Sequence, residues 1–403
     1  MLAAAVLALV LVACGLGVIG TLEGPDGGDG ADGSVEAPDA SASDGAIQID
    51  ATLDATSPDA APVPSNVPAD SVDPNAASLT GIVAIDTTSL MVDVGVGLAS
   101  PPAGITFRHV DAGAGGAAIL SVGKLVVNLP IKVTGTHALV MVASGIVTLE
   151  NIISINATGA IPGPGGSSPA TGNGRGGTGF NGGASNDCGG GGAGHGAIGA
   201  MGGPAGSAPG GDAGAAYAIP LFGGSGGGTG TPTTCSNTGG AGGGALQIFS
   251  LDTITIASGR GINAGGGGGR LGCGTGGSGG GGGSGGLVLL EAPRIVIKGI
   301  VAANGGGGGG GGTRIGGTSY PGQSGEDGVL DARQANGGPG GNGPEYTGGR
   351  GASSAAGPQK PATAFNGGGG GGGVGRILLR TRAVQADLTG GVVTPVPTTD
   401  TTL

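Results

Sequence analysis

Glycine is the feature that most restricts the folds open to this chain. It makes up 105 of the 403 residues and stands in uninterrupted runs such as residues 305–312. A glycine run has no side chains to bury, and ordering its backbone costs about 1–2 kcal/mol per residue or more. Tryptophan is absent and aromatic residues are only 2% of the chain. This composition excludes a conventional α/β enzyme and a helical bundle, and no sustained Gly-X-Y period indicates collagen.

Charge divides the chain into two parts. Residues 1–107 contain 14 acidic residues and no Lys or Arg, whereas residues 108–403 contain 12 acidic and 15 basic residues. The net charge of −11 at pH 7 therefore belongs to the N-terminal part. Because the chain also lacks a basic stripe and an aromatic platform, its sequence argues against a nucleic-acid-binding function.

The N-terminus predicts export. An uncharged apolar run of secretory length, shorter than a membrane span, ends in the letters LVAC at Cys14. This ending resembles the lipobox of bacterial lipoproteins, which implies that Cys14 becomes the first mature residue and carries the lipid. Residues 1–14 are thus predicted to be a lipoprotein signal peptide, and the protein is expected at the outer membrane or cell surface. An uncleaved anchor and plain secretion are the alternatives.

Residues 15–78 have the composition of a linker. They are rich in Asp, Ala, Pro, Ser and Gly, with no sustained period. Such a segment cannot bury enough apolar surface to fold, so it predicts a disordered acidic tether. The aspartates of residues 24–33 do not follow the ligand order of an EF-hand, and no metal site is predicted there.

Short runs of Val, Ile, Leu and Thr return after residue 79 and form a repeat. Five twelve-residue units align without a gap once the glycine between them is ignored. The units begin at Gly116, Ala138, Ala245, Gly286 and Gly375. Each unit predicts a strand, a tight corner and a second strand, often followed by a third short strand. Three strands per turn predict an all-β fold over residues 79–403, a small parallel β-helix or solenoid with caps at residues 79–107 and 387–403.

Glycine-rich inserts separate the units at about residues 159–244, 265–285 and 305–374. Each insert enters after a third strand, so all should emerge from one edge of the stack. Two outcomes are open for them. They stay disordered as a soft brush, or they pack as bundled polyglycine II helices held by backbone and Cα–H···O contacts.

A lipobox, an acidic tether and segments such as ALVMVASGIVTL before glycine runs occur together in this chain. The combination resembles the glycine-rich, β-helical predicted surface lipoproteins of myxobacteria and their relatives. The resemblance covers roughly residues 108–385 and the leader. It implies an architecture and a surface location, and no activity.

Three cysteines besides Cys14 lie in the glycine inserts. They are Cys188, Cys235 and Cys273. Export favours a disulfide among them. A bridge between Cys188 and Cys235 would close a loop in the first insert, whereas one between Cys235 and Cys273 would tie the first insert to the second. One thiol is left over in either case, and the cysteines could instead all be free thiols or form a metal site.

Motifs that suggest catalysis have simpler explanations in this composition. Gly-x-Ser-x-Gly occurs around Ser225, Ser278 and Ser284, but no strand-to-helix context accompanies it. The histidines His109, His137 and His195 follow no metal-ligand spacing. Neither pattern predicts a catalytic or metal-binding residue.

Carboxylates near the predicted strands do not form a row either. Glu150, Asp252 and Glu291 fall at different positions of the twelve-residue unit. Lys124 and Arg294 fall at the same position of the unit and are expected on an exposed face. No catalytic residue, metal or cofactor is therefore predicted. The expected function is that of a non-enzymatic surface lipoprotein with a structural or adhesive role.

The expected partners are the membrane, through the lipid, and surface polysaccharide or other surface proteins. The alternative function is a polysaccharide lyase or hydrolase using Glu291, Asp252 or Arg294 on an extended glycan. A third hypothesis is a fragment of a larger glycine-rich family.

Overall fold

The computed structural model describes residues 62–111, 116–179, 187–204, 208–214, 220–232, 236–361, 366–382 and 386–403. This part of the chain is nearly all β-structure and its sheets are mostly parallel, which confirms the all-β class. Its helical elements are two 3-10 turns, Ala69–Ser71 and Pro344–Tyr346. The predicted signal peptide and the tether up to residue 61 lie outside the described residues.

The strands are short and follow each other closely except where glycine intervenes. In chain order they are β1 (Leu79–Thr80), β2 (Ala84–Asp86), β3 (Met91–Asp93), β4 (Leu98–Ala99), β5 (Thr106–Val110), β6 (Ala117–Val122), β7 (Leu125–Val127), β8 (Ile131–Thr134), β9 (Ala138–Ala143), β10 (Val147–Leu149) and β11 (Ile152–Ser154). They continue with β12 (Ala245–Ser250), β13 (Thr253–Ile256), β14 (Gly261–Asn263), β15 (Leu287–Glu291), β16 (Arg294–Ile297), β17 (Ile300–Ala302), β18 (Thr313–Ile315), β19 (Thr318–Tyr320), β20 (Arg376–Arg380), β21 (Val392–Thr394) and β22 (Thr398–Asp400).

All of these strands except β18 and β19 belong to three sheets, and β18 and β19 pair with each other in antiparallel orientation. Sheet A has the order β1-β7-β10-β13-β16, sheet B the order β21-β17-β14-β11-β8-β2-β3-β4, and sheet C the order β22-β20-β15-β12-β9-β6-β5. Each trio from β6–β8 to β15–β17 places its strands in sheets C, A and B in turn, and neighbouring trios pair in parallel. Antiparallel strands β2–β5 close one end, and β21 and β22 lie at the other. Both segments predicted as caps therefore contribute strands at the ends of the sheets.

One apolar core receives side chains from all three sheets. Burying such side chains contributes about 25 cal/mol per Å² of apolar surface. Its fully buried members include Leu120, Met141, Ile248 and Leu290 from sheet C, Leu125, Ile254 and Ile295 from sheet A, and Ile131, Ile153 and Ile262 from sheet B. Aliphatic side chains fill this core, which explains how a chain so poor in aromatic residues has one.

Sheet C is covered on its outer face as well. A second apolar cluster contains Ile119, Val140 and Phe249 from this sheet, together with Val67 and Leu221. The segment of residues 62–72 thus packs on sheet C, although its composition assigns residues up to 78 to the tether. The boundary at residue 78 was wrong because the anchoring apolar residues of this segment are few and widely spaced.

The gap-free alignment of the units was wrong for two of the four neighbouring pairs of first strands, whereas Met141 opposite Ile248 and Leu289 opposite Leu378 lie as predicted. Ile119 lies opposite Val140 rather than Met141, and Ile248 lies opposite Leu290. The second strands of the first four units keep the predicted register, with Leu125 opposite Val147 and Ile254 opposite Ile295. Every residue of β6, β9, β12 and β15 is buried, so these strands lack the alternation of buried and exposed positions that would reveal a shift by one residue.

The glycine inserts form an ordered array, which we call the glycine bundle. Its segments are residues 163–179, 187–204, 208–214, 223–232, 236–244, 264–272, 277–286, 303–312, 322–328, 335–341, 346–352 and 366–375. Every third residue repeats a contact: the amides of Gly306, Gly309 and Gly312 donate to the carbonyls of residues 283, 280 and 277. Three residues per turn is the period of a polyglycine II helix. Of the two outcomes predicted for the inserts, the described segments therefore adopt the bundled one.

The central segment, residues 277–286, has six hydrogen-bonded neighbours. Its amides donate to carbonyls of segments 223–232, 264–272 and 366–375, and its carbonyls accept from amides of segments 187–204, 236–244 and 303–312. A Cβ atom added at Gly281 would lie 2.0 Å from the carbonyl oxygen of Gly191. Packing at this distance requires glycine, which is why the inserts contain so few side chains.

Candidate functional site

The carboxylates singled out in the sequence do not converge. Glu291 ends β15 on the outer face of sheet C and is fully buried. Arg294 begins β16 in sheet A and is exposed, and exposed Asp252 lies in the corner before β13. The Asp252 carbonyl accepts the Arg294 amide at 3.4 Å, so only these two are neighbours. This arrangement offers no pair of facing carboxylates for glycan cleavage.

Glu291 belongs to a polar cluster that the sequence did not reveal. Its Oε1 lies 2.6 Å from Nη1 of Arg380, and its Oε2 accepts a 2.5 Å hydrogen bond from Nε2 of Gln247. The hydroxyl and amide of Ser65 also donate to it, and Nε of Arg380 lies 3.2 Å from Oδ2 of Asp400. The cluster fastens the segment of residues 62–72 to sheet C. A fully enclosed, multiply bonded carboxylate fits this structural role better than catalysis.

The serines of the Gly-x-Ser-x-Gly motifs are part of the glycine bundle. Ser225, Ser278 and Ser284 are all buried. The hydroxyl of Ser278 donates to the carbonyl of Cys188 at 2.7 Å, and those of Ser225 and Ser284 accept backbone amides at 3.0 and 2.8 Å. Each hydroxyl therefore forms a hydrogen bond with a backbone group of the glycine bundle.

Two histidines that are distant in sequence are in contact at the end of the sheets where β5 lies. The rings of His109 and His137 are 3.7 Å apart and perpendicular. Burial, with the neighbouring charge of His109, lowers the pKa of His137, and hydrogen bonding to the Thr87 carbonyl opposes this. β6 pairs with β5, which contains His109, and with β9, which His137 directly precedes, so the sheet brings together two histidines that no sequence spacing related. Among the described residues, no group of three or more His, Cys, Asp or Glu could hold a metal.

Cys188 and Cys273 are the cysteines among the described residues, and both lie in glycine-rich inserts. Cys188 is buried, and its amide donates to Oγ1 of Thr231 at 3.1 Å. Cys273 is disulfide-bonded, and its carbonyl accepts the amide of Gly277 at 3.1 Å. Cys14 and Cys235 lie outside the described residues, so the pairing of Cys235 with Cys273 stays a prediction.

A cavity of about 440 Å³ on the first insert is the best candidate for a binding site. We call it the His195 cavity; glycine backbone forms much of its wall, and the side chains of Ser167, Asn173, His195 and Phe222 also line it. Phe222 is one of only five phenylalanines in the chain, and its side chain is not buried in the core but 38% exposed. A second cavity of about 410 Å³, the Arg175 cavity, also has Asn173 in its wall and adds Arg175 and Asp212.

The protonation state of His195 follows from its surroundings. Burial lowers the pKa of His195 to about 4, assisted by the charge of Arg376 and opposed by hydrogen bonding to the Gly285 carbonyl. The ring is therefore neutral near pH 7. Because Nδ1 lies 3.0 Å from the carbonyl oxygen of Gly285, Nδ1 carries the proton and Nε2 is a hydrogen-bond acceptor.

Little in the sequence indicates this cavity. The spacing of the histidines indicates only that His195 belongs to no metal-ligand pattern. Phe222 lies in no recognisable motif. The scarcity of aromatic residues could have drawn attention to a phenylalanine inside a glycine insert. Its neighbours could not have been found, because the lining comes from bundle segments that are far apart in the chain.

No protein-family model matches the chain, and no curated protein or solved structure is significantly similar to it. Within the described residues, no helix is long and apolar enough to cross a membrane.

Proposed function

We propose that this protein is an exported lipoprotein with a structural or adhesive, non-enzymatic role at the cell surface. In this proposal a parallel β-helix carries the glycine bundle as a rigid display platform. The rotation of strand trios through three sheets around one core supports the β-helix. The lipobox ending at Cys14 and the resemblance to the surface lipoproteins of myxobacteria support the location.

The observation that carries the proposal is the saturated lattice of the bundle. Backbone groups satisfy each other in its interior, and buried side chains such as Ser278 serve the same lattice. Reactive or recognisable side chains are therefore left to the loops and cavities at its surface. The β18–β19 hairpin is one such loop, with Ile315 49% and Tyr320 36% exposed. A rigid base with short, chemically varied loops is typical of a binding surface.

Polysaccharide cleavage is the alternative function, and one assay separates the two. The full-length protein is incubated with bacterial and plant polysaccharides, and retained protein and newly formed sugar ends are measured in the same wells. We expect retention without release. Release that disappears in Glu291→Gln, Asp252→Asn or Arg294→Gln would replace the adhesive role with catalysis.

The lipid anchor has its own test. Growth with a labelled fatty acid should label the wild-type protein, and Cys14→Ser should lose both the label and membrane association. A Cys14→Ser variant that keeps the label would show that Cys14 is not the attachment point. An unlabelled wild-type protein in the cytoplasm would overturn the proposed location.

A further inference from the structure

The His195 cavity combines an aromatic ring with unused hydrogen-bonding groups. In the part of the chain that the structure describes, the side chains of Ser167 and Asn173 have no hydrogen-bond partner, and Nδ1 is the nitrogen of His195 that the Gly285 carbonyl binds. These groups offer a hydroxyl, an amide that both donates and accepts, and an acceptor nitrogen. The ring of Phe222 provides an apolar wall beside them. A few polar groups beside an apolar wall are typical of small-molecule sites.

The lining also restricts the charge of a ligand. His195 is the only ionisable side chain among the described residues of the lining, and it is neutral near pH 7. The guanidinium of Arg376 lies outside the lining and is engaged there, since its Nη2 donates to the carbonyl oxygens of His195 and Gly214. No charged side chain of the lining itself would compensate a charged ligand group for its lost hydration. A ligand with several hydroxyl groups and an apolar face meets both requirements. A pyranose ring has this chemistry, since its C–H face packs on an aromatic ring while its hydroxyls form hydrogen bonds.

The neighbouring Arg175 cavity extends the site. Asn173 lies between the two cavities and lines both. Arg175 and Asp212 are exposed in the second cavity and make it more polar than the first. The two volumes, about 440 and 410 Å³, are each large enough for one sugar residue. Together they suit adjacent residues of one chain.

We propose that the His195 and Arg175 cavities form a two-residue binding groove for an oligosaccharide, with an uncharged pyranose packed on Phe222. The inference rests on the proposed adhesive function and names the class of ligand and its location. Asn173 is the central contact because it borders both residues of the ligand. Binding requires no bond cleavage and therefore no pair of carboxylates in the groove.

The test is calorimetric titration of the full-length protein with cellotetraose, xylotetraose and mannotetraose and with their monosaccharides. We expect at least one tetrasaccharide to bind more tightly than its monosaccharide. Phe222→Ala and Asn173→Ala should each weaken that binding by about tenfold or more. Val96→Ala shortens an exposed apolar side chain in the turn between β3 and β4, outside both cavities, and should leave the affinity unchanged. Phe222→Tyr keeps the ring and should retain most of the affinity.

Each contrary result contradicts the groove. If none of the sugars binds, or if Phe222→Ala and Asn173→Ala bind as the wild type does while their thermal unfolding is unchanged, the assignment is wrong. Retention on polysaccharide that persists in both variants would preserve the adhesive function and place its site elsewhere. Loss of retention in Tyr320→Ala alone would move the site to the hairpin.

Discussion

The strand region and the glycine bundle both pack backbone segments against each other, but the strand region does so with side chains and the glycine bundle without them. In both, backbone groups pair with segments that are distant in the chain, through parallel ladders in one and a three-residue period in the other. Ile248 and Leu290 fill the space between sheets with side chains, whereas Gly281 allows segments to approach until no side chain fits. The first region is stabilised by burying apolar surface. The second depends on hydrogen bonds and close Cα–H···O contacts that offset the entropy cost of glycine.

This contrast implies opposite rules for substitution. Removing side-chain volume should damage the strand region, and adding it should damage the bundle. Exposed corners of either region should tolerate both changes.

The largest effect is expected for Gly281→Val in the central bundle segment. A Cβ atom there would lie 2.0 Å from the Gly191 carbonyl oxygen, and six hydrogen-bonded neighbours prevent the segment from moving away. We expect a loss of about 5 kcal/mol or more in the free energy of unfolding, measured by urea denaturation.

The matched control is a glycine outside the lattice. A Cβ atom at Gly357 would meet nothing within 4 Å, and this glycine has no positive φ. Gly357→Val introduces the same side chain and should change the free energy of unfolding by no more than about 0.5 kcal/mol. Equal losses in the two variants would mean that the bundle is not close-packed.

The next effect tests the strand region. Ile248 is fully buried in the core shared by the sheets. Ile248→Ala should lower the free energy of unfolding by about 3 kcal/mol because it leaves a cavity, and Ile248→Val by about 1 kcal/mol. A calorimetric scan of both variants measures this graded response. The interpretation fails if the two variants are equally stable.

A third prediction compares an ion pair in each region. Glu291 is fully enclosed beside Arg380, whereas Glu326 of the bundle forms a bidentate pair with Arg333 whose side chains are 34% and 49% exposed. Glu291→Gln should cost about 2 kcal/mol, and Glu326→Gln about 0.5 kcal/mol, in urea denaturation. Glu291→Gln should also expose residues 62–72 to limited proteolysis. Rapid cleavage there in the wild type would contradict the packing of this segment.

The smallest effect is a pH dependence. The folded protein holds the pKa of His195 near 4 while the unfolded chain has the ordinary value of 6.5. Between these values the unfolded state binds a proton that the folded state does not, so stability decreases as the pH falls from 6.5 to 4. The loss should be on the order of 1 kcal/mol because the ring is partly exposed.

His195→Gln should make the stability profile flatter in this pH window. His137, whose pKa is also lowered, contributes in the same direction and should keep a smaller slope. The pKa of Glu326 is lowered to about 2, so the stability that Glu326 contributes is lost only below pH 4.5. This loss can therefore be separated from that of His195. An unchanged slope in His195→Gln would show that His195 is solvated.

Much of the strand region could be predicted from the sequence. The strands of the units, the entry of the glycine inserts after third strands and the end caps follow from apolar runs and their spacing. The register of β6 with β9 and of β12 with β15 could not be predicted, since neighbouring residues such as Ile119 and Leu120 are both buried and either could face the inner core. Which of the two side chains faces the inner core depends on the residues of other segments that pack against the sheet.

The candidate site was less predictable than the fold. Cys14, Cys188, Cys235 and Cys273 could be singled out by residue type alone, but the lining of the His195 cavity could not. Ser167, Asn173 and Phe222 are ordinary residues within a glycine-rich stretch, and their convergence depends on how its segments fold back. The contact of Glu291 with Ser65 has the same origin, a pairing across most of the described chain.

The sequence by itself determined where side chains are present and where they are missing. That distribution is local, and it is enough to define the strands, the glycine segments and the acidic N-terminal part. Tertiary structure decided which segments are neighbours: the strand register, the order of the glycine bundle and the burial of Glu291. Glycine carries no side-chain pattern from which a partner could be read, so backbone hydrogen bonding in three dimensions makes that choice.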